Sequence, residues 1–274
     1  MAIKQGQSRT TANKIAAIEA FFTQNIAVVR HAIRSEQYFH FDLNAGCGFN
    51  EVAGCIGSPI AFRNAAVKAS MPDAWCFCCE LDVDAACKLQ ARTEEDDRTF
   101  VTIGRNQDFI EQIPDIIAEH GGDPKFAYGS ILIDPNDHNR EAIPYDGLRF
   151  LADQCPRIDV VFHFPQLAMK RVVGSVAKGG HPESCAKDCF HIDELPRIIG
   201  KKHLWIKQTK ELGNFALVVG RNTDNINADK RTGLARWDSE EGLWYRERCT
   251  MKVDDAKRRH EQRLDAVSGQ KRLW

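Results

Sequence analysis

Four short stretches of this 274-residue chain carry side chains that could act together on a ligand. The first is Asp42-Leu43-Asn44-Ala45-Gly46-Cys47-Gly48, where two glycines in a tight turn let backbone amides approach a bound group. The second is Glu80-Leu81, an acid placed to accept both hydroxyl hydrogens of a ribose diol. The third, Asn106-Gln107-Asp108, has the amide and carboxylate groups to read an adenine edge. The fourth, Asp134-Pro135-Asn136-Asp137, offers a carboxylate, a rigid turn and an amide in succession. A glycine turn alone is common. What matters is the order of the four and the elements that must carry them.

Those elements alternate. Apolar spacing at Ile15, Ile18, Phe21, Phe22, Ile26 and Val29 predicts a helix over 11–33. Strands are expected at 38–43, 75–80, 99–103, 128–134, 158–164, 203–207 and 215–219. Helices are expected between them at 58–69, 83–93, 109–119, 145–153, 166–176 and 193–199, with Ser58 as N-cap and Pro59 opening the first of these. Strand–helix alternation implies an α/β protein, a Rossmann-like doubly wound sheet covered on both faces. The connection over 208–214 is too short for a helical crossover, so the seventh and last strand pairs antiparallel. The expected divisions are an N-terminal helical segment (1–35), the sheet domain (36–222) and a basic C-terminal extension (223–274). In such sheets ligands bind beyond the carboxyl ends of the strands, and all four stretches sit at such ends.

Composition excludes several classes. Hydrophobic residues make up 43% and charged residues 27%, with a net charge of -1, which suits a globular domain rather than a disordered or fibrous one. No apolar run reaches the roughly 18–20 residues that span a bilayer, and the N-terminus lacks the pattern of a secretory leader, so a cytoplasmic protein is expected. The ten cysteines, with Cys76, Cys78 and Cys79 inside an apolar run, read as reduced thiols. His181, Cys185, Cys189 and His191 are irregularly spaced for tetrahedral zinc, and no metal is expected. Basic residues concentrate at both ends: Lys4, Arg9 and Lys14 at the start, and Lys252, Lys257, Arg258, Arg259, Arg263, Lys271 and Arg272 at the finish. Basic ends on a neutral body suit a polyanion, although a solvated helix face reads the same way.

Glycine turn, acid after the second strand and Asp-Pro after the fourth resemble the class I S-adenosylmethionine-dependent methyltransferases over residues 38–222. Within that class, residues 42–48 followed by Gly57-Ser58-Pro59-Ile60-Ala61 resemble the three-Cys-motif partner proteins, and residues 234–242 resemble phage and mobile-element members. The resemblance implies S-adenosylmethionine as cofactor and nucleic acid, DNA or RNA, as partner. It implies that Asp42, Asn44, Ala45, Gly46 and Gly48 border the cofactor's methionine and ribose, with Glu80 and Leu81 at the ribose and Asn106 and Asp108 at the adenine. Asp134, Pro135 and Asn136 would face the transferable methyl. Lys207, at the end of the sixth strand, would flank Asp134, with Lys14 or Lys170 assisting.

Two features depart from the pattern. Asp42 and Glu80 are 38 positions apart instead of the roughly 20 of a compact dinucleotide fingerprint. No aromatic follows Asp-Pro-Asn directly, so Tyr145 or Phe164 would have to stack on a flipped base. Methylation of a base exocyclic amine is favoured over that of a ribose hydroxyl. A nicotinamide-linked oxidoreductase and a catalytically silent nucleic-acid-binding protein remain as alternatives.

Overall fold

A computed structural model describes residues 11–134, 143–164, 191–208, 215–224, 232–251 and 253–271. Helix α1 (Thr11–Ala27) continues as a π-helical segment, Val28–Ile33, and leads into β1 (Gln37–Asp42). A small hairpin, β2 (Phe49–Asn50) and β3 (Cys55–Ile56), precedes α2 (Ser58–Lys68). Then follow β4 (Asp73–Glu80), α3 (Val83–Arg92), β5 (Thr99–Ile103), α4 (Asn106–Glu119) and β6 (Gly129–Ile133). The chain closes its core with α5 (Tyr145–Gln154), β7 (Ile158–Phe164), β8 (His203–Lys207) and β9 (Ala216–Arg221).

The sheet has eight strands, not seven. Its order is β10-β8-β9-β7-β6-β1-β4-β5, with β10 (Ala235–Arg236) pairing antiparallel to the outer edge of β8. Two residues with no alternation give no strand signal, which is why β10 escapes a sequence reading. Strands β1, β4, β5, β6, β7 and β8 run parallel, while β9 is antiparallel between β7 and β8. The strand order reverses between β1 and β6, so the ligand crevice belongs beyond Asp42 and Ile133.

Alternation along the strands builds two cores. Phe39, Phe41, Phe77, Ile131, Val160 and Phe162 face α4 and α5. Tyr38, Cys76, Cys78, Leu132, Val161 and Trp205 face α1 and α2. Strands β6 and β7 are buried throughout, whereas β5, on the open edge, leaves Phe100 and Ile103 exposed. Gly129 lets β6 lie tightly on β1, since a Cβ there would stand 2.0 Å from the carbonyl oxygen of Phe39. Cys76, Cys78 and Cys79 are buried free thiols within this packing.

The C-terminal extension is helical and docked. Ser239 caps the helix Glu240–Thr250 by accepting the Gly242 N–H at 3.0 Å. The helix Val253–Lys271 is held against it by Arg263, which donates to Glu247 at 2.7 and 2.9 Å and to Glu240 at 2.8 Å. Trp237 and Tyr245 pack on the core, and Trp244 stacks on His260. Among the described residues no helix is long and apolar enough to cross a membrane.

Candidate active site

At the carboxyl ends of β1, β4 and β6 lies a cavity of about 470 Å³. Its floor is the turn after β1, where Gly46 and Gly48 adopt φ of +61° and +76°, a region that favours glycine. The turn is tied to its neighbours: Leu43 N–H donates to Leu132 O and Ala45 N–H to Cys79 O. Glu80 straps it further, accepting Gly46 N–H at 2.8 Å and Asp82 N–H at 3.0 Å. The 38-residue spacing from Asp42 to Glu80 is filled by the β2–β3 hairpin and α2. That helix begins one residue earlier than the sequence suggests. Gly57 is its N-cap and Ser58 its first residue, leaving the Ser58 hydroxyl near enough to Asp42 to draw its carboxyl down.

Asp42 is fully buried beneath the turn, with one oxygen accepting Asn44 N–H at 3.2 Å. Burial, aided by Asp134 and Glu80 nearby, pushes its carboxyl up to about 7 against the pull of Ser58 and Asn44. Asp134 has the opposite fate. Its backbone N–H donates to Asn44 Oδ1 at 3.2 Å, and both carboxylate oxygens are engaged. Lys14 Nζ of α1 donates to one at 2.6 Å, and His163 Nδ1 of β7 donates to the other at 2.5 Å. Burial raises the Asp134 pKa, but Lys14 and His163 outweigh it and hold the group well below the usual carboxylate range. Burial also keeps His163 low, hence neutral, and its ring leans on Phe215 at 4.3 Å.

Of the residues expected here, Asn44, Ala45, Gly46, Gly48, Glu80 and Asp134 line one cavity, joined by Lys14. Leu81 stands exposed beside it. Asn106 and Asp108 do not occupy a loop: they form the first turn of α4, outside the cavity lining. Lys207 is not brought to Asp134. Strands β9 and β7 intervene between β8 and β6, a separation of about 14 Å at ordinary strand spacing, and its ammonium donates to Thr232 O at 2.7 Å. Pro135, Asn136 and Lys170 lie outside the described residues, as do His181, Cys185 and Cys189. Among the described residues no cluster suits a metal ion. Phe164 is buried in the core, and Tyr145 borders a separate depression between α4 and α5. His163 carried no signal beyond its place in an apolar strand, where a lone histidine reads as core.

Six parallel strands, the antiparallel β9 set between β7 and β8, and a crevice over a glycine turn define a Rossmann-like methyltransferase fold. The chain is similar in fold to a candidate methyltransferase from Thermobifida fusca, at 12% identity and a TM-score of 0.47, over 76% of this chain and 81% of that one. A DUF574 family protein from Streptomyces avermitilis gives 12% identity and a TM-score of 0.47 over 76% and 83%. No protein-family model and no curated protein matches the chain.

Proposed function

We propose that the chain is an S-adenosylmethionine-dependent methyltransferase acting on nucleic acid. One observation carries the cofactor reading: Glu51, Glu80, Asp82, Asp84 and Asp134 line the cavity against Lys14 and Lys88. An acid-rich cleft suits a cofactor with a sulfonium and an ammonium, and repels the pyrophosphate of a nicotinamide dinucleotide. Glu80, which lines the cavity at the end of β4, is the residue that would hold the ribose diol. Leu81 and Ile103, 68% and 52% exposed, stand at neighbouring strand ends, since Glu80 is in register with Ile103. Such exposed apolar groups suit the faces of an adenine ring. When bound, the cofactor supplies an activated methyl, and the protein's task is alignment and charge. The resemblance to the three-Cys-motif partner proteins belongs to this proposal and rests on residues 42–48 and 57–61.

The state of Asp134 favours a hydroxyl acceptor over the exocyclic amine expected from sequence. Each of its oxygens already accepts one hydrogen, from Lys14 or from His163, so an amine would have to share oxygens that hold a cation and an imidazole. Lys14 lines the cavity and places an ammonium where it would stabilise an oxygen losing its proton. Release of methyl-labelled ribose rather than methyl-labelled base from digested product decides between the two.

Glu80→Ala should bind S-adenosylmethionine at least about tenfold more weakly, from the loss of hydrogen bonds worth about 1.5–3 kcal/mol each to a charged group. Isothermal titration of the folded variant checks this, and an unchanged affinity would remove Glu80 from the site. Binding of nicotinamide dinucleotide but not S-adenosylmethionine by the parent would overturn the proposal itself. Binding without transfer would favour the silent nucleic-acid-binding reading.

The nucleic-acid part rests on the basic termini. Exposed Lys257, Arg258 and Arg259 lie on the docked C-terminal helix. Removing residues 252–274 should weaken binding and flatten its salt dependence, because fewer counterions are released. Filter binding across a salt series measures both, and equal slopes would leave the tail as a packing element.

A further inference from the structure

A second cavity, of about 320 Å³, opens at the opposite edge of the sheet, beneath the amino ends of β6 and β7 and the end of β9. One wall is apolar: Val28, Val29 and Ile33 of the π-helical segment that ends α1. A π-helix is rare and recurs at functional sites, because the widened turn costs helical hydrogen-bond geometry. Here the segment ends at Arg34, a non-glycine residue with φ of +66°.

The other wall carries two guanidinium groups, Arg157 and Arg221. Arg221 is 4% exposed, lies 5.3 Å over the Trp205 ring and gives one N–H to Asp159 at 3.0 Å. Its Nε is buried without a partner. A buried guanidinium N–H left unpaired is costly, and a guanidinium has five donors to satisfy. The carboxylate of Asp159 is already shared between Arg221 and Asn25, which donates to it at 3.0 Å. Arg157 is exposed at the rim, donating to Tyr128 OH at 2.7 Å and lying 5.0 Å over the Phe126 and Tyr128 rings. The cavity therefore sets two guanidinium groups against one carboxylate, that of Asp159.

We propose that this cavity binds a small phosphorylated molecule, its phosphate at Arg157 and Arg221 and its remaining part against Val28, Val29 and Ile33. Paired guanidinium forks match the several oxygens of a phosphate better than the two of a carboxylate. The enclosed volume admits a small molecule and not a polynucleotide. This site lies at the far edge of the sheet from Glu80 and Asp134 and does not depend on the methyl-transfer reading.

Inorganic phosphate titrated into the isotope-labelled full chain tests it by amide chemical shifts. Saturable shifts are expected at Val28, Val29, Asn222 and Thr223, with weaker or no response to acetate. Arg157→Gln, at an exposed position, should fold as the parent does and bind phosphate about tenfold more weakly. Arg221→Lys should also weaken binding. No saturable shift, shifts confined to the turn at Asn44 to Gly48, acetate bound as tightly as phosphate, or unchanged affinity in Arg157→Gln would each overturn the proposal.

Discussion

An Asp134→Asn protein should bind S-adenosylmethionine much as the parent does and transfer methyl at least about a hundredfold more slowly, the lower end of what proton-handling and charge-positioning groups contribute. The carboxylate holds Lys14 by a 2.6 Å contact and His163 by a 2.5 Å contact, so it sets where the Lys14 ammonium points. With an amide in its place, Lys14 loses its counter-charge and the fixed charge facing the acceptor goes with it. Alanine is the poorer choice. It would leave the Lys14 ammonium, 10% exposed, without a partner, at a cost of about 3–5 kcal/mol in stability. Tritiated methyl transfer to bulk DNA and RNA, beside a cofactor titration and a thermal melt, separates the catalytic loss from unfolding. Transfer at the parental rate would remove Asp134 from the reaction.

Asp42→Asn should stabilise the protein in mild alkali and leave it almost unchanged in acid. The folded carboxyl of Asp42, at about 7, lies above its unfolded value of 3.8. A group shifted in that direction contributes its stability below the unfolded pKa and loses it as pH rises through the folded one. Near pH 8 the parent bears the full cost of burying this charge, of the order of 4 kcal/mol for a carboxyl moved from 3.8 to about 7. An amide avoids it. His40 works the other way, its ring pushed down to about 3 by burial, so its contribution is complete above 6.5 and fades as pH falls. Between about pH 4 and pH 6.5 the two slopes nearly cancel. The variant's stability should therefore climb more steeply with pH across that window than the parent's. Chemical denaturation at several pH values measures this, and parallel curves would show that Asp42 is not charged at the cost described.

The parallel strands were legible because β1, β6 and β7 are buried on both faces and read as near-continuous apolar runs. The glycine turn, Glu80 and Asp134 were legible for a related reason: each ends a strand, so the topology alone delivers them to one edge. Lys14 was named only as a possible helper to that edge, since it belongs to a helix that precedes the sheet and lies 120 positions from its partner. Lys207 was misplaced because a short connection between β8 and β9 reveals that they pair, not that β9 inserts beside β7 and carries β8 outward. Asn106 and Asp108 shifted from loop to helix because polar residues in a first turn look like a loop until their backbone is seen.

Helix α1 meets the sheet at both ends: Lys14 reaches Asp134 at one edge, and Asn25 reaches Asp159 at the other. These contacts close loops of 120 and 134 residues, so neither forms until the chain extends to the end of β6 and the start of β7. Helix α1 precedes the sheet in the chain, yet it can take its final place only after β6 and β7 exist. Acquisition of the charged pair at Asp134 should thus trail formation of the sheet, and the candidate site is completed late in folding by a helix that precedes every strand.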